Sequence, residues 1–271
     1  MKKIFDHTTA NIHYITEGEG MPLVLLHGFA EDAFIWNEQI DFLKQYCKLI
    51  VPDLPGSGAS FFKNENNGNV IEDYANIVYA LLQHENINAC VILGHSMGGY
   101  IALAFAEKYA SMLSGFGFIH STAFADSDEK KQNRLKGIDM MEEYGGYAFL
   151  KTTTPNLFAA EFKKEHPEKI EALIENGKNF KTKSLQQYYN AMMNRPDRTH
   201  VLANSKVPVL FVLGTEDVAA PMNDVLKQTH FPKISFIHIL ENTGHMGMWE
   251  NAGKVNKAIL EFISNINTQE V

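Results

Sequence analysis

A serine between two glycines, placed at a strand-to-helix junction, constrains the fold of this chain more than any other feature. The segment is GHSMGG, residues 94–99. The run before it, residues 89–93, is short, apolar and partly β-branched, which predicts a buried strand. Residues 100–109 follow with strong helix formers. The pattern Gly-x-Ser-x-Gly in this setting is typical of a nucleophile elbow, a tight turn that exposes a serine hydroxyl.

The elbow explains why small residues flank the serine. Gly94 and Gly98 have no Cβ, so strand and helix can lie close together while Ser96 adopts a strained conformation. Because the helix starts at once, the unpaired N–H of Met97 would face a developing oxyanion. The alternative is a glycine-rich turn with an incidental serine, since the bare motif also arises by chance. The strand before and the helix after favour the elbow.

Strands and helices alternate through the first half of the chain. Apolar runs at 22–26, 49–51 and 115–120 indicate strands that are covered on both faces. Residues 34–43 and 71–84 have apolar side chains at helical spacing. This alternation predicts βαβ units and a largely parallel sheet, preceded by a short hairpin near the N-terminus and interrupted by a polar surface loop at 61–69.

The alternation stops between Ser121 and Arg198, where we find no sheet-like run and expect several short inserted helices. Strands resume at 207–214 and 235–240, and a helix at 249–263 closes the chain. We therefore predict an α/β fold with a mostly parallel eight-stranded sheet flanked by helices. Its predicted organisation is a core of residues 1–121 and 199–271 with a helical cap, residues 122–198, inserted in it.

Composition limits the function classes. The chain has 271 residues, 45% of them apolar, and 24 Lys and Arg against 32 Asp and Glu, a net charge of -8. This acidic balance argues against nucleic-acid and anionic-membrane partners. No apolar run approaches the roughly 20 residues of a membrane helix, and no signal-like segment follows Lys2-Lys3. Cys47 and Cys90 are expected in the core. We expect a cytoplasmic monomer or homodimer.

A serine nucleophile needs a base, and the base needs an orienting carboxylate. In a parallel sheet such groups follow the carboxyl ends of strands. Asp217 follows the strand at 207–214, and His245 follows the strand at 235–240, in the order serine, acid, histidine. Glu216 is a competing carboxylate. Since consecutive side chains point in different directions, only one should face the histidine, and we favour Asp217.

Five short motifs occur in order along the chain and together resemble the α/β-hydrolase superfamily over about residues 10–265. They are His27-Gly28-Phe29, Asp53 to Gly58, residues 94–99, Gly214 to Asp217, and Gly244-His245.

The resemblance implies that Ser96 is the nucleophile, His245 the base and Asp217 its orienting acid. It implies an oxyanion hole made by the backbone N–H groups of Phe29 and Met97. It also implies that the inserted helices form a cap that selects substrates. Such a site requires neither a metal nor a cofactor.

The chemistry implied is hydrolysis of a carboxylic ester through an acyl-enzyme. The expected partner is a small-molecule ester with a small to medium apolar acyl group. Side chains next to the motifs are candidates for its pocket, although His95 could instead be a satisfied buried histidine, and the apolar cap residues could simply pack the cap onto the sheet. The pocket candidates are His95, Phe124, Val218 and Met246.

Other functions use the same constellation. C–C bond hydrolases, lyases and cofactor-free perhydrolases are built on this triad, and some relatives with intact triads act as ligand-sensing receptors. The serine argues against haloalkane dehalogenases, whose elbow carries aspartate. Arginine suits carboxylate and phosphate recognition. The chain has three arginines, Arg134, Arg195 and Arg198, all in or at the edge of the cap. Their scarcity argues against a multi-anionic substrate.

Overall fold

The computed structural model describes residues 1–64 and 66–267. The last four residues of the predicted core and one residue of the predicted 61–69 loop lie outside this description. The strands described are β1 (Lys2–Asp6), β2 (Ala10–Glu17), β3 (Pro22–Leu26), β4 (Lys48–Pro52), β5 (Phe61–Phe62), β6 (Cys90–His95), β7 (Leu113–Ile119), β8 (Val209–Gly214) and β9 (Ser235–Leu240).

The helices described are α1 (Asn37–Leu43), α2 (Ile71–His84), α3 (Met97–Lys108), α4 (Asp128–Tyr144), α5 (Gly146–Thr153), α6 (Ala160–Glu165), α7 (Pro167–Asn176), α8 (Thr182–Asn194), α9 (Thr199–Ala203), α10 (Met222–Leu226), α11 (Gly247–Glu250) and α12 (Ala252–Asn267). Short 3-10 helices lie at Ala33–Trp36, Ala110–Met112, Thr154–Leu157 and Gly177–Asn179. Within the described ranges, no helix is both long and apolar enough to cross a membrane.

The strands form one sheet in the order β1-β2-β4-β3-β6-β7-β8-β9, and β5 pairs with β2. All pairings from β4 to β9 along this order are parallel, whereas β2 pairs antiparallel with its neighbours. The predicted fold class, a mostly parallel sheet flanked by helices, is confirmed. The strand beyond the predicted eight is β5, which lies in the stretch expected to be a loop. Two residues are too short for a recognisable strand pattern.

The central strands are covered on both faces, which explains their continuous apolar runs. In β3, Val24 and Leu26 join a core cluster with α2 and α3. Leu23 and Leu25, on the opposite face, join a second cluster with α1 and α12. Alternate residues of one strand thus belong to different cores, as the two-residue period of a strand requires. Cys47 and Cys90 are buried and free.

The predicted helix at 71–84 coincides with α2. Two other predicted helices are divided. The helix expected at 34–43 begins as a 3-10 turn, whose N-terminus is capped by the Asp32 carboxylate, and continues as α1. The closing helix expected at 249–263 is α11 and α12, because Asn251 leaves the helical conformation with φ -143°.

Between β7 and β8, the described chain contains helices α4 to α9 and no strand. Helices α4, α5 and α8 share an apolar cluster that includes Phe149 and Leu185. From α8 the hydroxyl of Tyr188 reaches the turn at 53–58, where it lies 2.7 Å from Ser57 Oγ and donates to the Pro55 oxygen over 2.9 Å. These helices therefore rest on the loops at the carboxyl end of the sheet. The division of the chain into a core and a cap stays a prediction.

Candidate active site

Ser96 is the single residue between β6 and α3, and its backbone has φ 50° and ψ -115°. A non-glycine residue adopts positive φ only where surrounding contacts impose it, and such strain is concentrated at functional sites. Here the flanking glycines allow β6 and α3 to pack closely, and this packing imposes the positive φ on Ser96. A Cβ on Gly94 would lie 2.1 Å from the Gly98 carbonyl carbon, and one on Gly98 would lie 2.3 Å from the Leu26 oxygen. The local geometry is that expected of the elbow.

Hydrogen bonds from the neighbouring strand fix the backbone of Ser96. Its N–H donates to the Ile119 oxygen over 3.1 Å. Its carbonyl oxygen accepts a hydrogen bond of 2.6 Å from Ser121 Oγ. The elbow is therefore anchored to β7 and to the residues that follow it, while α3 carries the chain away from the turn.

Asp217 and His245 meet beside the elbow. Asp217 follows β8 and His245 follows β9, which is the parallel neighbour of β8. The Nδ1 atom of His245 lies 2.9 Å from each carboxylate oxygen of Asp217. The competing carboxylate points elsewhere, since Glu216 accepts the Ala160 N–H over 3.3 Å. The structure thus brings together the acid and the histidine that the sequence analysis favoured.

The ionisation of this pair follows from its contacts. Burial would raise the pKa of Asp217, but the charge of His245 and hydrogen bonds from His245 and His120 hold that pKa far below its usual range. Burial would lower the pKa of His245, but the adjacent Asp217 carboxylate raises it above its usual value. An ionised carboxylate that accepts from Nδ1 leaves Nε2 as the basic nitrogen of His245.

A second histidine, His120, also contacts Asp217. His120 Nδ1 lies 3.1 Å from Asp217 Oδ2, while its buried Nε2 makes no hydrogen bond within the described residues. Burial lowers the pKa of His120 below its usual value, which favours the neutral form of its ring. Asp217 therefore has a neutral partner, His120, beside His245, which becomes charged when it accepts a proton. The available signal was the position of His120 at the carboxyl end of β7.

His120, Asp217 and His245 also form a group with possible metal ligand atoms within 4.8 Å of one another. Both histidines are hydrogen-bonded to Asp217, and these bonds account for the closeness. We therefore interpret the group as an acid–base cluster.

His95 joins the elbow to two other loops. Its Nδ1 lies 2.9 Å from the Glu31 carboxylate, and its Nε2 donates to the backbone oxygen of His245 over 2.9 Å. The same Glu31 oxygen accepts the Gly28 N–H over 2.6 Å. His95 has no exposed surface. Of the two possibilities left open for His95, the structure favours the satisfied buried histidine, because both of its nitrogens are engaged in the protein interior.

The two expected oxyanion donors lie on the loops nearest Ser96. A Cβ on Gly28 would lie 3.1 Å from Ser96 Cβ, so the loop that carries Phe29 packs directly against the serine. Met97 is the first residue of α3, where N–H groups have no partner within the helix. Within the described chain neither N–H donates to a protein acceptor. Both are free for a ligand oxygen.

No hydrogen bond links Ser96 Oγ to His245 Nε2 among the residues described. In the absence of substrate, catalytic hydrogen bonds are often long and tighten only in the reacting complex. His95 places the two residues close together, because it directly precedes Ser96 in the chain and its ring centre lies 4.8 Å from that of His245.

The loop of His245 is also tied to the inserted helices. The carboxylate of Glu250 accepts the N–H groups of Gly244, Met246 and Ala159 at distances of 2.9 to 3.0 Å. The N–H of His245 donates to the Leu157 oxygen over 2.6 Å. Because Leu157 and Ala159 belong to the insertion, the histidine and the predicted cap are positioned together.

The other expected pocket residues have different surroundings, and their part in a substrate pocket stays a prediction. Met246 has no exposed surface and packs in the core, and Val218 is 69% exposed on the outer surface. Phe124 is half-buried and lines a separate cavity of about 380 Å³ that includes Asp126 and Arg195. The three side chains thus differ in exposure, because consecutive side chains leave a loop in different directions.

An aromatic wall, supplied largely by the inserted helices, lies against Phe29 instead. The Phe29 ring centre is 4.6 Å from that of Tyr189 and 6.4 Å from those of Phe149 and Tyr188. Tyr189 and Phe149 also contact each other edge to face. Because these rings are far from Phe29 in the sequence, no local pattern predicts their contact with it.

The elbow, the acid–histidine pair at adjacent strand ends and the sheet topology define an α/β hydrolase. A model of the alpha/beta hydrolase family matches residues 23–258, and the chain belongs to that family. The structure is similar to that of a thermophilic esterase from Thermogutta terrifontis, with a TM-score of 0.91, 27% identity and coverage of 98% of this chain and 99% of the other. An enol-lactonase from Burkholderia xenovorans shares the fold, with a TM-score of 0.86, 21% identity and coverage of 94% and 97%.

Relatives by sequence carry related activities. A 2-hydroxy-6-oxononadienedioate/2-hydroxy-6-oxononatrienedioate hydrolase from Burkholderia vietnamiensis is 26% identical over 95% of this chain and 92% of its own length. A cis-3-alkyl-4-alkyloxetan-2-one decarboxylase from Shewanella oneidensis is 24% identical over 95% and 86%. Taken together, the comparisons support a hydrolase enzyme, while the bond that is cleaved differs among the relatives.

Proposed function

We propose that this protein is a serine hydrolase that cleaves carboxylic esters through an acyl-enzyme. The observation that carries the proposal is the Asp217–His245 pair, with 2.9 Å between His245 Nδ1 and each carboxylate oxygen, beside a serine held at positive φ. Similarity to the Thermogutta esterase over nearly the whole chain supports the same chemistry. The cytoplasmic location stays a prediction.

In the proposed reaction, Ser96 Oγ attacks the ester carbonyl while His245 Nε2 takes its proton. The N–H groups of Phe29 and Met97 hold the oxyanion of the tetrahedral intermediate, each contributing roughly 3 kcal/mol to its stabilisation. The alkoxide leaves with the proton from His245, and an ester bond to Ser96 remains. His245 then takes a proton from water, the hydroxide attacks the acyl carbon, and the carboxylic acid is released as Ser96 regains its proton.

The carboxylate of Asp217 supports His245 in this mechanism. Its charge stabilises the imidazolium that forms when His245 accepts the serine proton, and its hydrogen bond fixes the tautomer with a basic Nε2. Two backbone N–H groups, of Ala219 and Ala220, donate to the same carboxylate over 2.9 Å. These bonds hold the carboxylate in place while the histidine changes its charge.

The test is turnover of p-nitrophenyl esters from acetate to decanoate by the wild type and by Ser96→Ala. We expect a rate that depends on Ser96 and peaks at short to medium acyl chains, since aromatic rings surround Phe29. Absence of any Ser96-dependent rate, in a variant and a wild type that both fold, would contradict ester hydrolysis.

C–C bond hydrolysis is the second candidate, favoured by the Burkholderia vietnamiensis relative that aligns over most of both chains. It would use the same serine and histidine on a ketone in place of an ester. Loss of the absorbance of 2-hydroxy-6-oxononadienedioate, measured beside the ester panel, separates the two. A kcat/KM for the dienedioate that exceeds that of every ester would make C–C cleavage the principal activity.

A further inference from the structure

Two arginines, one buried and one partly exposed, share one carboxylate beside the aromatic wall. Arg134 Nε donates to Asp126 Oδ2 over 2.5 Å, and Arg195 Nη2 lies 2.9 Å from Asp126 Oδ1. The Asp126 side chain is 1% exposed and that of Arg195 is 4% exposed. Burial would raise the pKa of Asp126, but the two guanidinium groups keep it below its usual value. Two cations and one anion leave one positive charge uncompensated.

Only Arg134 has a partly exposed donor for a ligand. Arg195 is enclosed: Nη1 donates to the Met192 oxygen, Nη2 donates to the Phe124 oxygen, and the guanidinium lies 3.8 Å from the centre of the Tyr100 ring. Its Nε has no partner within the described residues, but this atom is buried and out of reach of a ligand. Arg134 uses Nε and Nη2 on Asp126, and within the described residues its Nη1 has no partner. Its side chain keeps 18% of its surface exposed.

Arg134 contacts the aromatic wall that packs against Phe29. Its guanidinium is 5.1 Å from the centre of the Tyr189 ring, which also lies 4.6 Å from that of Phe29 and 5.6 Å from that of Phe149. Tyr100, which stacks on Arg195, is one helical turn beyond Ser96 in α3. Arg134 is therefore separated by one aromatic ring from the loop that supplies the expected oxyanion donor.

The cavity on the other side of the same ion pair has a different charge balance. Its lining includes Lys130 and Arg195, together with Asp126, Asp197 and Asp224. Asp126 and Arg195 belong to the ion pair already counted, so the cavity adds Lys130 against Asp197 and Asp224, and Asp224 is paired with Lys227 over 2.8 Å. The charges that the cavity adds therefore balance and do not favour an anion there. The exposed part of the excess positive charge is on Arg134, next to Tyr189.

We propose that Arg134 binds a single carboxylate carried by the substrate, at the end of the molecule remote from the ester bond. A guanidinium with free N–H groups in a partly buried, aromatic setting is well suited to a carboxylate, and an isolated buried cation is costly unless an anion joins it. One uncompensated charge matches one carboxylate, in agreement with the expectation that a multi-anionic substrate is disfavoured. The inference rests on the proposed function, because it names the substrate class of the same site.

The carboxylate could belong to the acyl part or to the alcohol part of the ester, and matched substrates distinguish the two. Monomethyl glutarate differs from methyl pentanoate by a carboxylate in place of the terminal acyl methyl group. 4-Acetoxybutanoate differs from butyl acetate by the same exchange in the alcohol. Hydrolysis of all four is followed by acid release in a pH-stat, for the wild type, Ser96→Ala, Arg134→Gln and Lys136→Gln.

Arg134→Gln is expected to fold, because Arg195 still pairs with Asp126 and no buried carboxylate is left alone. Lys136 is exposed on the same helix, so Lys136→Gln removes one positive charge outside the site. In the wild type we expect at least one carboxylate ester to exceed its neutral partner about tenfold in kcat/KM. Arg134→Gln should remove that preference through KM and change the neutral esters less than about threefold. Lys136→Gln should change neither.

Two results would overturn the inference alone. One is a wild type that hydrolyses the neutral esters, with dependence on Ser96, at least as well as both carboxylate esters. The other is an Arg134→Gln variant that loses the same factor on neutral and carboxylate esters, which would show a purely structural role. Hydrolysis of none of the four, or hydrolysis that survives Ser96→Ala, would instead contradict the proposed function and remove the basis of the inference.

Discussion

The side chain of His95 donates a hydrogen bond of 2.9 Å to the backbone oxygen of His245, so the residue before the elbow serine holds the loop of the expected base. Because a carbonyl oxygen can only accept a hydrogen bond, Nε2 of His95 must carry the hydrogen. The other nitrogen of His95 faces the Glu31 carboxylate at 2.9 Å, and one further proton lies between them. Glu31 in turn accepts the Gly28 N–H. This buried chain connects the elbow, the oxyanion loop and the histidine.

We expect Glu31→Gln to lower kcat about tenfold with little change in KM, because an amide keeps the shape but not the charge that holds His95. The loss of a charged, buried hydrogen bond should also lower Tm by about 2–8 °C. Steady-state kinetics and thermal unfolding measure the two effects. Glu19→Gln, an exposed change of the same kind, is the control. A kcat equal to that of the wild type would show that this chain does not position the site.

Asp217→Asn should lower kcat about a thousandfold or more, because an amide neither fixes the Nδ1–H tautomer nor stabilises the imidazolium. Glu216→Gln removes a carboxylate from the adjacent position and should change kcat less than about threefold, since Glu216 contacts the Ala160 N–H and not the histidine. The two variants are compared on one p-nitrophenyl ester. The opposite ranking would mean that Glu216 is the orienting acid.

The rate should depend on pH through His245. Its Nε2 must be neutral to accept the serine proton, and the Asp217 charge raises the pKa of this histidine above its ordinary value of about 6.5. We therefore expect kcat/KM for a neutral ester to fall as the pH drops through a point above 6.5 and to be low below it. Glu216→Gln should leave that point unchanged. An acidic limb centred at or below 6.5 would contradict the assigned environment of His245.

Gly98→Ala should prevent folding or inactivate the protein, because the added Cβ would lie 2.3 Å from the Leu26 oxygen and 2.7 Å from the His27 oxygen. Backbone atoms of a central strand cannot move away from the added Cβ without breaking hydrogen bonds of the sheet. Gly253→Ala, at the start of α12, adds a methyl group with nothing within 4 Å and should be neutral or slightly stabilising. Soluble yield and Tm compare the two. A stable, active Gly98→Ala protein would contradict the packing of the elbow.

The sequence predicted those features that local patterns determine. The period of α2, the apolar runs of β3 and β6 and the glycines around Ser96 each constrain a few consecutive residues, and the order of Asp217 and His245 followed from the strands before them. The features that the sequence did not predict depend on contacts between residues far apart in the chain. Glu31 and His95 are in contact but 64 positions apart in the sequence, and His120 and Asp217 are in contact but 97 positions apart. No periodicity relates such pairs, so the sequence leaves His95 open between a pocket group and a buried histidine and does not show that Arg134 shares Asp126 with Arg195.

The most direct test of Ser96 as the nucleophile is covalent labelling with diethyl p-nitrophenyl phosphate. Attack by Ser96 Oγ on phosphorus expels p-nitrophenolate and leaves a diethyl phosphoryl group on the serine. We expect the wild type and the surface control Ser111→Ala to gain one such group by intact mass, with peptide mapping to Ser96, and folded Ser96→Ala to gain none. A wild type that stays unmodified, or a Ser96→Ala protein that is labelled equally fast, would contradict the account.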